Sequence, residues 1–270
     1  MIDFNPDNHW RRVAAAIYKK PTDSKIFGSV ELDVTDLEAF IQEKRKEGLK
    51  ITLTHMFTLL VARGLREAVP ELNCYIRRGK PKYRPHVEAA VSVLIKNGSE
   101  MGSVKVPHAD TISLSELTEI LNREVPKARQ GDEKNKTMRM KAVVAAIPWP
   151  FRSLTLRILR FLSIDLGLSI PALGIGPDSF GSFILSNIGT LGLDMGYPAL
   201  LPSSNVAFVL IMGGVHEKPA VVDGQIVPRR IISLGAALDH RVVDATHGGR
   251  LFLYLKQAIK TPERLLQPAE

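Results

Sequence analysis

A single cysteine, Cys74, in 270 residues rules out an intramolecular disulfide framework and suits a reducing compartment. Its expected role is that of a small buried apolar side chain rather than a nucleophile. A membrane span needs about 20 uninterrupted apolar residues, and the basic-apolar stretch Phe151 to Ile164 is interrupted by Arg152, Arg157 and Arg160. No zinc-type spacing groups the histidines, so no metal site is expected, and His216 and His247 read as surface or capping residues. Aromatic residues make up 6% of the chain. No aromatic-and-basic platform, zinc-finger spacing or helix-turn-helix pattern supports nucleic-acid binding. The N-terminus has Asp3 and Asp7 and no apolar core segment, which is unlike a secretory signal, and a cytoplasmic location is the expectation.

What is present is a chain with 45% hydrophobic residues, enough for one large domain over residues 1–270. The formal net charge of +8 predicts attraction to a polyanion, and a cofactor bearing several phosphates would be served by it. Trp10, Val13, Ala14 and Ile17 fall at helical spacing, with Arg11 and Arg12 at the start of that helix. Ile26 to Val34 alternates as a strand does, and Thr35 or Asp36 is the expected cap of a helix from Leu37 to Gly48. A strongly apolar helix opens at Thr52 or Thr54 and stops before Pro70. Asn73 to Arg77 and Val87 to Ile95 are expected to form a hairpin turning around Gly79 and Pro81, with a basic tip that includes Arg77, Arg78 and Lys80. Ser113 and Glu116 have capping-box spacing at the start of a helix reaching Arg129. Phe180 to Ile188 reads as a strand and turn, Asn205 to Met212 as a buried strand, and Pro219 to Val227 as a hairpin with Asp223-Gly224 at its tip.

Near the C-terminus the strand from Arg230 to Leu238 delivers Asp239-His240-Arg241-Val242-Val243-Asp244, and a helix follows from Gly248 to Lys260. An imidazole at a strand-to-helix junction suits a general base, because histidine titrates near neutrality and can take a proton from a thiol. Asp244 is the candidate for a supporting carboxylate, and a helix cap is its other reading.

This motif, followed by Leu251 to Lys256 and Thr261-Pro262-Glu263-Arg264-Leu265-Leu266, resembles the C-terminal signature of the acyltransferase catalytic domain of 2-oxo-acid dehydrogenase complexes. That family shares the chloramphenicol acetyltransferase-like fold. Its usual motif ends Asp-Gly, where this chain has Asp244-Ala245. Pro70-Glu71-Leu72-Asn73 and Gly181-Ser182-Phe183-Ile184-Leu185-Ser186-Asn187-Ile188-Gly189 match two further family patterns in the same order.

The resemblance implies an α/β, two-layer sandwich with a mixed β-sheet that works as a homotrimer. It implies catalysis by His240 as general base and Ser186 as oxyanion donor, brought together from different subunits. Asp244 and Arg241 would order the catalytic loop, and Arg11 or Arg12 would pair with Asp244 or remain solvated. Coenzyme A is the implied substrate, with no metal. Its phosphates would be guided by Arg77, Arg78 and Lys80, unless these form only a charged surface turn. No lipoyl or subunit-binding domain is evident, so either a partner protein supplies the lipoyl group in trans or the enzyme stands alone with another acceptor. Assembly of trimers into a larger shell is left open. A scaffold relative without catalysis is the alternative.

Residues 131–178 form an insertion about which the family pattern is silent. It holds a charged loop, a helical pattern from Met138 to Ile147, and the basic-apolar stretch after Pro148-Trp149-Pro150. That stretch is expected to pack against the domain or across a subunit interface, in preference to lying on a membrane. If it covers the active site, it would set acceptor choice.

Overall fold

The computed structural model describes residues 24–95, 100–129, 146–148, 151–169, 176, 180–201 and 204–269. An alternating strand, β1, and the apolar runs of the central strands build a six-stranded mixed sheet in the order β1-β8-β7-β6-β4-β5. Its strands are β1 (Lys25–Asp33), β4 (Ala89–Ile95), β5 (Glu100–Val106), β6 (Phe183–Asn187), β7 (Phe208–Val222) and β8 (Gln225–Asp239). β6 runs parallel to both β4 and β7, and the remaining pairs are antiparallel. Five helices accompany the sheet among the described residues: α1 (Thr35–Lys46), α2 (Leu53–Glu67), α3 (Leu114–Arg129), α4 (Phe151–Arg160) and α5 (Ala245–Ala258).

One set of alternating strand residues enters a single core with the helices. Leu32, Val91, Phe183, Leu185, Phe208, Leu210, Leu234 and Ala236 all belong to it, together with Phe57 and Leu60 of α2, Leu117 of α3 and Leu251 of α5. Two layers result, as expected, because α1, α2, α3 and α5 each bury an apolar stripe against one face of the sheet. The opposite sheet face is crossed by the chain after β6. A Cβ at Gly213 would meet the Asp194 carbonyl, and one at Gly235 would meet the Gly196 carbonyl, so both strands need glycine there.

Two local expectations are corrected. Neither Thr35 nor Asp36 caps α1: the Asp33 carboxylate accepts from the Thr35 amide at 3.0 Å and the Thr35 hydroxyl at 2.6 Å, placing the polar anchor one residue before the N-cap position, Val34. Asn73 to Arg77 does not pair with Val87 to Ile95. Instead β2 (Cys74–Arg77) pairs with β3 (Lys80–Tyr83) in a separate two-stranded ribbon, and β4 joins the main sheet. The Arg78-Gly79 turn has positive φ at both residues, the geometry of a two-residue hairpin, and that local turn closes before the more distant strand can compete. In the basic-apolar stretch, expected to pack against the domain or across a subunit interface, α4 buries none of its residues within this chain. It ends in a π-helical turn, Phe161–Asp165, where Ser163 and Ile164 are buried.

The Ser113–Glu116 capping box forms as expected. The Ser113 amide donates to Glu116 Oε2 at 2.7 Å, and the Glu116 amide to Ser113 Oγ at 3.3 Å. Asp223 and Gly224 turn the β7–β8 hairpin with φ of 50° and 77°. Cys74 is buried, its thiol 2.8 Å from the Glu71 carbonyl, and burial pushes the thiol up to about 11, so it is no nucleophile at neutral pH. The helix expected at Asn8 to Ile17, and Met138 to Ala145 of the second helical pattern, lie outside the described residues.

Candidate active site

β8 ends at Asp239, where the chain turns sharply into α5. Two backbone bonds hold this turn to the sheet: the Asp239 amide donates to the Ala207 carbonyl at 2.9 Å and the His240 amide to the Ser24 carbonyl at 2.8 Å. The His240 side chain is exposed to solvent. Its Nδ1 lies 2.9 Å from the Val243 carbonyl oxygen. A carbonyl only accepts, so Nδ1 carries the proton and Nε2 presents a lone pair. That is the tautomer a general base requires.

Asp244 stands elsewhere. It is the N-cap of α5, accepting from the Thr246 amide at 3.1 Å and the Thr246 hydroxyl at 2.5 Å, and its carboxylate lies 2.8 Å from His247 Nδ1. The Thr246 hydroxyl and then His247 hold the Asp244 carboxyl down at about 2. Asp244 thus fixes the helix start and the turn, while the imidazole of His240 is oriented by the Val243 carbonyl. His247 completes the capping box, as its capping reading anticipates.

The acid that grips the turn is Asp239, to which the sequence reading assigned no role. Arg241 lays its guanidinium across this carboxylate, with Nε at 2.9 Å from Oδ1 and Nη2 at 2.5 Å from Oδ2. The Ser24 hydroxyl adds a third contact at 3.0 Å. Asp239 is only 5% exposed. Burial pushes its carboxyl up, but the Arg241 and Ser24 bonds outweigh that and hold it below the usual range. The signal was an acid and an arginine flanking the histidine at i and i+2, close enough in the turn for the guanidinium to reach back to the carboxylate.

Ser186 lies on β6, on the sheet face opposite the helices. It is aligned with Ile211 of β7, which is aligned in turn with Gly235 of β8. His240 is five residues beyond Gly235. At about 3.3 Å per residue along the strand and two strand spacings of about 4.8 Å across, the two residues are separated by roughly 19 Å. One subunit therefore does not bring His240 and Ser186 to the same carbonyl group. The neighbouring Asn187 donates to the Thr54 hydroxyl at 3.2 Å, tying the end of β6 to the start of α2.

The basic hairpin is placed partly by the insertion. The Arg78 amide donates to the Asp165 carbonyl at 3.1 Å, and Arg77 Nη2 donates to the Leu166 carbonyl at 3.3 Å. Arg77 is therefore engaged in holding the insertion, whereas Arg78 and Lys80 are exposed at the turn. A cavity of about 570 Å³ lies where these parts meet, with Ile76 from the hairpin, Arg160 and Asp165 from the insertion, and Asp239 and Arg241 from the β8–α5 turn in its wall. Arg11 and Arg12 lie outside the described residues. Among the described residues no group of three or more His, Cys, Asp or Glu side chains could hold a metal ion.

Residues 178–267 match the family model of the 2-oxoacid dehydrogenases acyltransferase catalytic domain. The chain is 26% identical over 226 residues to the dihydrolipoyllysine-residue succinyltransferase component of the 2-oxoglutarate dehydrogenase complex of Bartonella vinsonii subsp. berkhoffii. The overlap covers 83% of this chain and 43% of that protein, so the chain spans less than half of this relative's length. A probable dihydrolipoamide acetyltransferase from Listeria monocytogenes superposes with a TM-score of 0.66 at 19% identity, covering 96% of this chain and 94% of that one. Chloramphenicol acetyltransferase superposes with a TM-score of 0.50 at 12% identity, covering 88% and 89%. The resemblance read from the motifs is thereby shown, and the fold is the chloramphenicol acetyltransferase-like α/β fold of dihydrolipoamide acyltransferase cores.

Proposed function

We propose that this chain is a coenzyme A-dependent acyltransferase that moves an acyl group between coenzyme A and a dihydrolipoyl-type thiol or another small acceptor. The observation that carries the reading is the Val243 carbonyl on His240 Nδ1, which leaves Nε2 as an exposed base. The attacking thiol has an ordinary pKa of about 8.5 and is little ionised at neutral pH. His240 Nε2 takes its proton, and the thiolate sulfur adds to the thioester carbonyl carbon. The oxyanion so formed accepts a hydrogen bond from the Ser186 hydroxyl, a contact commonly contributing roughly 3 to 4 kcal/mol. Collapse breaks the carbon–sulfur bond to coenzyme A, and the departing thiolate takes the proton back from His240.

Because about 19 Å separates His240 from Ser186 in one subunit, the working unit is a homotrimer in which each site combines His240 of one subunit with Ser186 of the next. Arg241 and Asp239 hold the turn, Asp244 caps the helix that follows it, and Arg78 and Lys80 attract the cofactor's phosphates. The lipoyl group would arrive on a partner protein.

The test is release of free thiol from acetyl-CoA with dihydrolipoamide as acceptor. Turnover by the wild type, with loss of about 100-fold or more in His240→Ala, supports general-base catalysis. Absence of both turnover and coenzyme A binding in the wild type would sink the proposal in favour of a non-catalytic scaffold.

A further inference from the structure

The insertion carries charge of one sign over a long stretch. From Lys134 to Ile164 there is no aspartate or glutamate, while Lys134, Lys136, Arg139 and Lys141 precede α4 and Arg152, Arg157 and Arg160 lie within it. On α4 and the first residue of its π turn, Phe151, Leu154, Ile158 and Phe161 recur at i, i+3, i+7 and i+10. They form one stripe whose members are 64%, 55%, 50% and 54% exposed. Every other helix among the described residues buries part of its apolar face. The side of α4 that bears Arg160 turns, with Ile164, toward the cavity, which leaves the stripe on the far side, facing away from the domain.

Ten residues of helix with nothing buried gain little stability of their own in water. The stripe therefore calls for an apolar cover, and the charges restrict what that cover is. A second copy packed stripe to stripe, whether about a two-fold or a three-fold axis, would bring a helix whose only charges are Arg152, Arg157 and Arg160 against another of the same sign. A bilayer of anionic lipid offers an apolar interior, negative charge across its whole surface, and no requirement for register. An amphipathic helix with aromatic and leucine residues on one face and only arginine as charge on the other matches that surface. We propose that α4 is an interfacial anchor, its Phe151–Leu154–Ile158–Phe161 stripe inserted at the surface of an anionic bilayer and Arg152 and Arg157 on the lipid phosphates. No helix among the described residues is long and apolar enough to cross a membrane, so the contact is one of lying on the surface. This inference goes beyond the acyl-transfer reading and does not depend on it.

Flotation of the full chain with phosphatidylcholine vesicles, and with vesicles that also contain phosphatidylglycerol, tests it. The expected result is recovery with the anionic vesicles only, falling as salt is raised. Arg152→Gln with Arg157→Gln should weaken binding roughly 30-fold, about fivefold for each arginine charge removed from the surface. Leu154→Asn with Ile158→Asn should weaken it on the order of 100-fold. All four positions are exposed, and thermal melting of each variant at the wild-type temperature shows that the fold is kept. Absence of wild-type flotation, or equal recovery with neutral and anionic vesicles, would overturn the proposal. So would variants that change the sedimenting mass of the protein and leave vesicle binding intact, since a second copy would then be the cover.

Discussion

Mixing two inactive variants should restore activity. His240→Ala removes the base and Ser186→Ala the oxyanion donor, and each homotrimer then lacks one group at all three sites. If the roughly 19 Å between these residues within a subunit means that each site is shared by neighbours, a mixed trimer regains complete sites. Each is made wherever the Ser186→Ala subunit supplies its histidine to a His240→Ala neighbour that supplies its serine. With random assortment from equal amounts about a quarter of all sites are complete, and in the mixed trimers kept by purification over both tags about one site in three is complete. The incomplete sites contribute little, because loss of an oxyanion donor alone costs about 100- to 1000-fold in kcat. The assay is thiol release from acetyl-CoA by co-expressed, differently tagged variants, purified over both tags and compared with wild type and each variant alone. Activity of the mixture no higher than the mean of the two parents would refute the shared site, since groups drawn from one subunit never meet in such a mixture.

Three further outcomes follow from particular contacts. Arg241→Ala strips the buried Asp239 carboxylate of its fork; with Arg241 itself half exposed, the loss is about 1 to 2 kcal/mol at neutral pH, read as a lower Tm. The wild-type pair lowers the Asp239 carboxyl, so its stabilisation is complete above about pH 4 and fades as pH falls further, and the variant and wild-type denaturant curves should converge in acid. His55 on α2 has an unpaired buried Nε2, and burial, followed by Arg45, pushes its imidazole down to about 4. Protonation therefore favours the unfolded chain: stability holds above about pH 6.5 and declines toward pH 4 by about 3 kcal/mol, a slope that His55→Gln should flatten. Gly235→Ala drives a Cβ into the Gly196 carbonyl and should lower stability by about 1 to 3 kcal/mol, with an unchanged melting temperature counting against the close approach of that loop to the sheet.

The sequence by itself determined the class of fold and singled out the candidate reacting groups. Alternation in β1, the continuous apolar run that begins β7, helical periodicity in α2 and α3, the Ser113–Glu116 box and the Asp223-Gly224 turn are all local signals. The structure follows them because a two- or three-residue spacing is enough to specify the geometry. His240 and Ser186 stood out because their neighbours along the chain match a known pattern. What the chain order could not reveal is which partner each polar group takes. Asp244 was the nearest carboxylate in register with the histidine, yet a free helix N-terminus competes for it and wins, while a main-chain carbonyl, invisible in residue identity, orients the imidazole. Asp239 became the anchor only once the sheet had buried it beside Ser24 and left Arg241 as the cation able to reach it. The distance between His240 and Ser186 depends on strand order and register, and the exposure of the α4 stripe depends on what does not pack against it. Both are properties of the assembled molecule, because they arise from contacts between segments far apart in sequence.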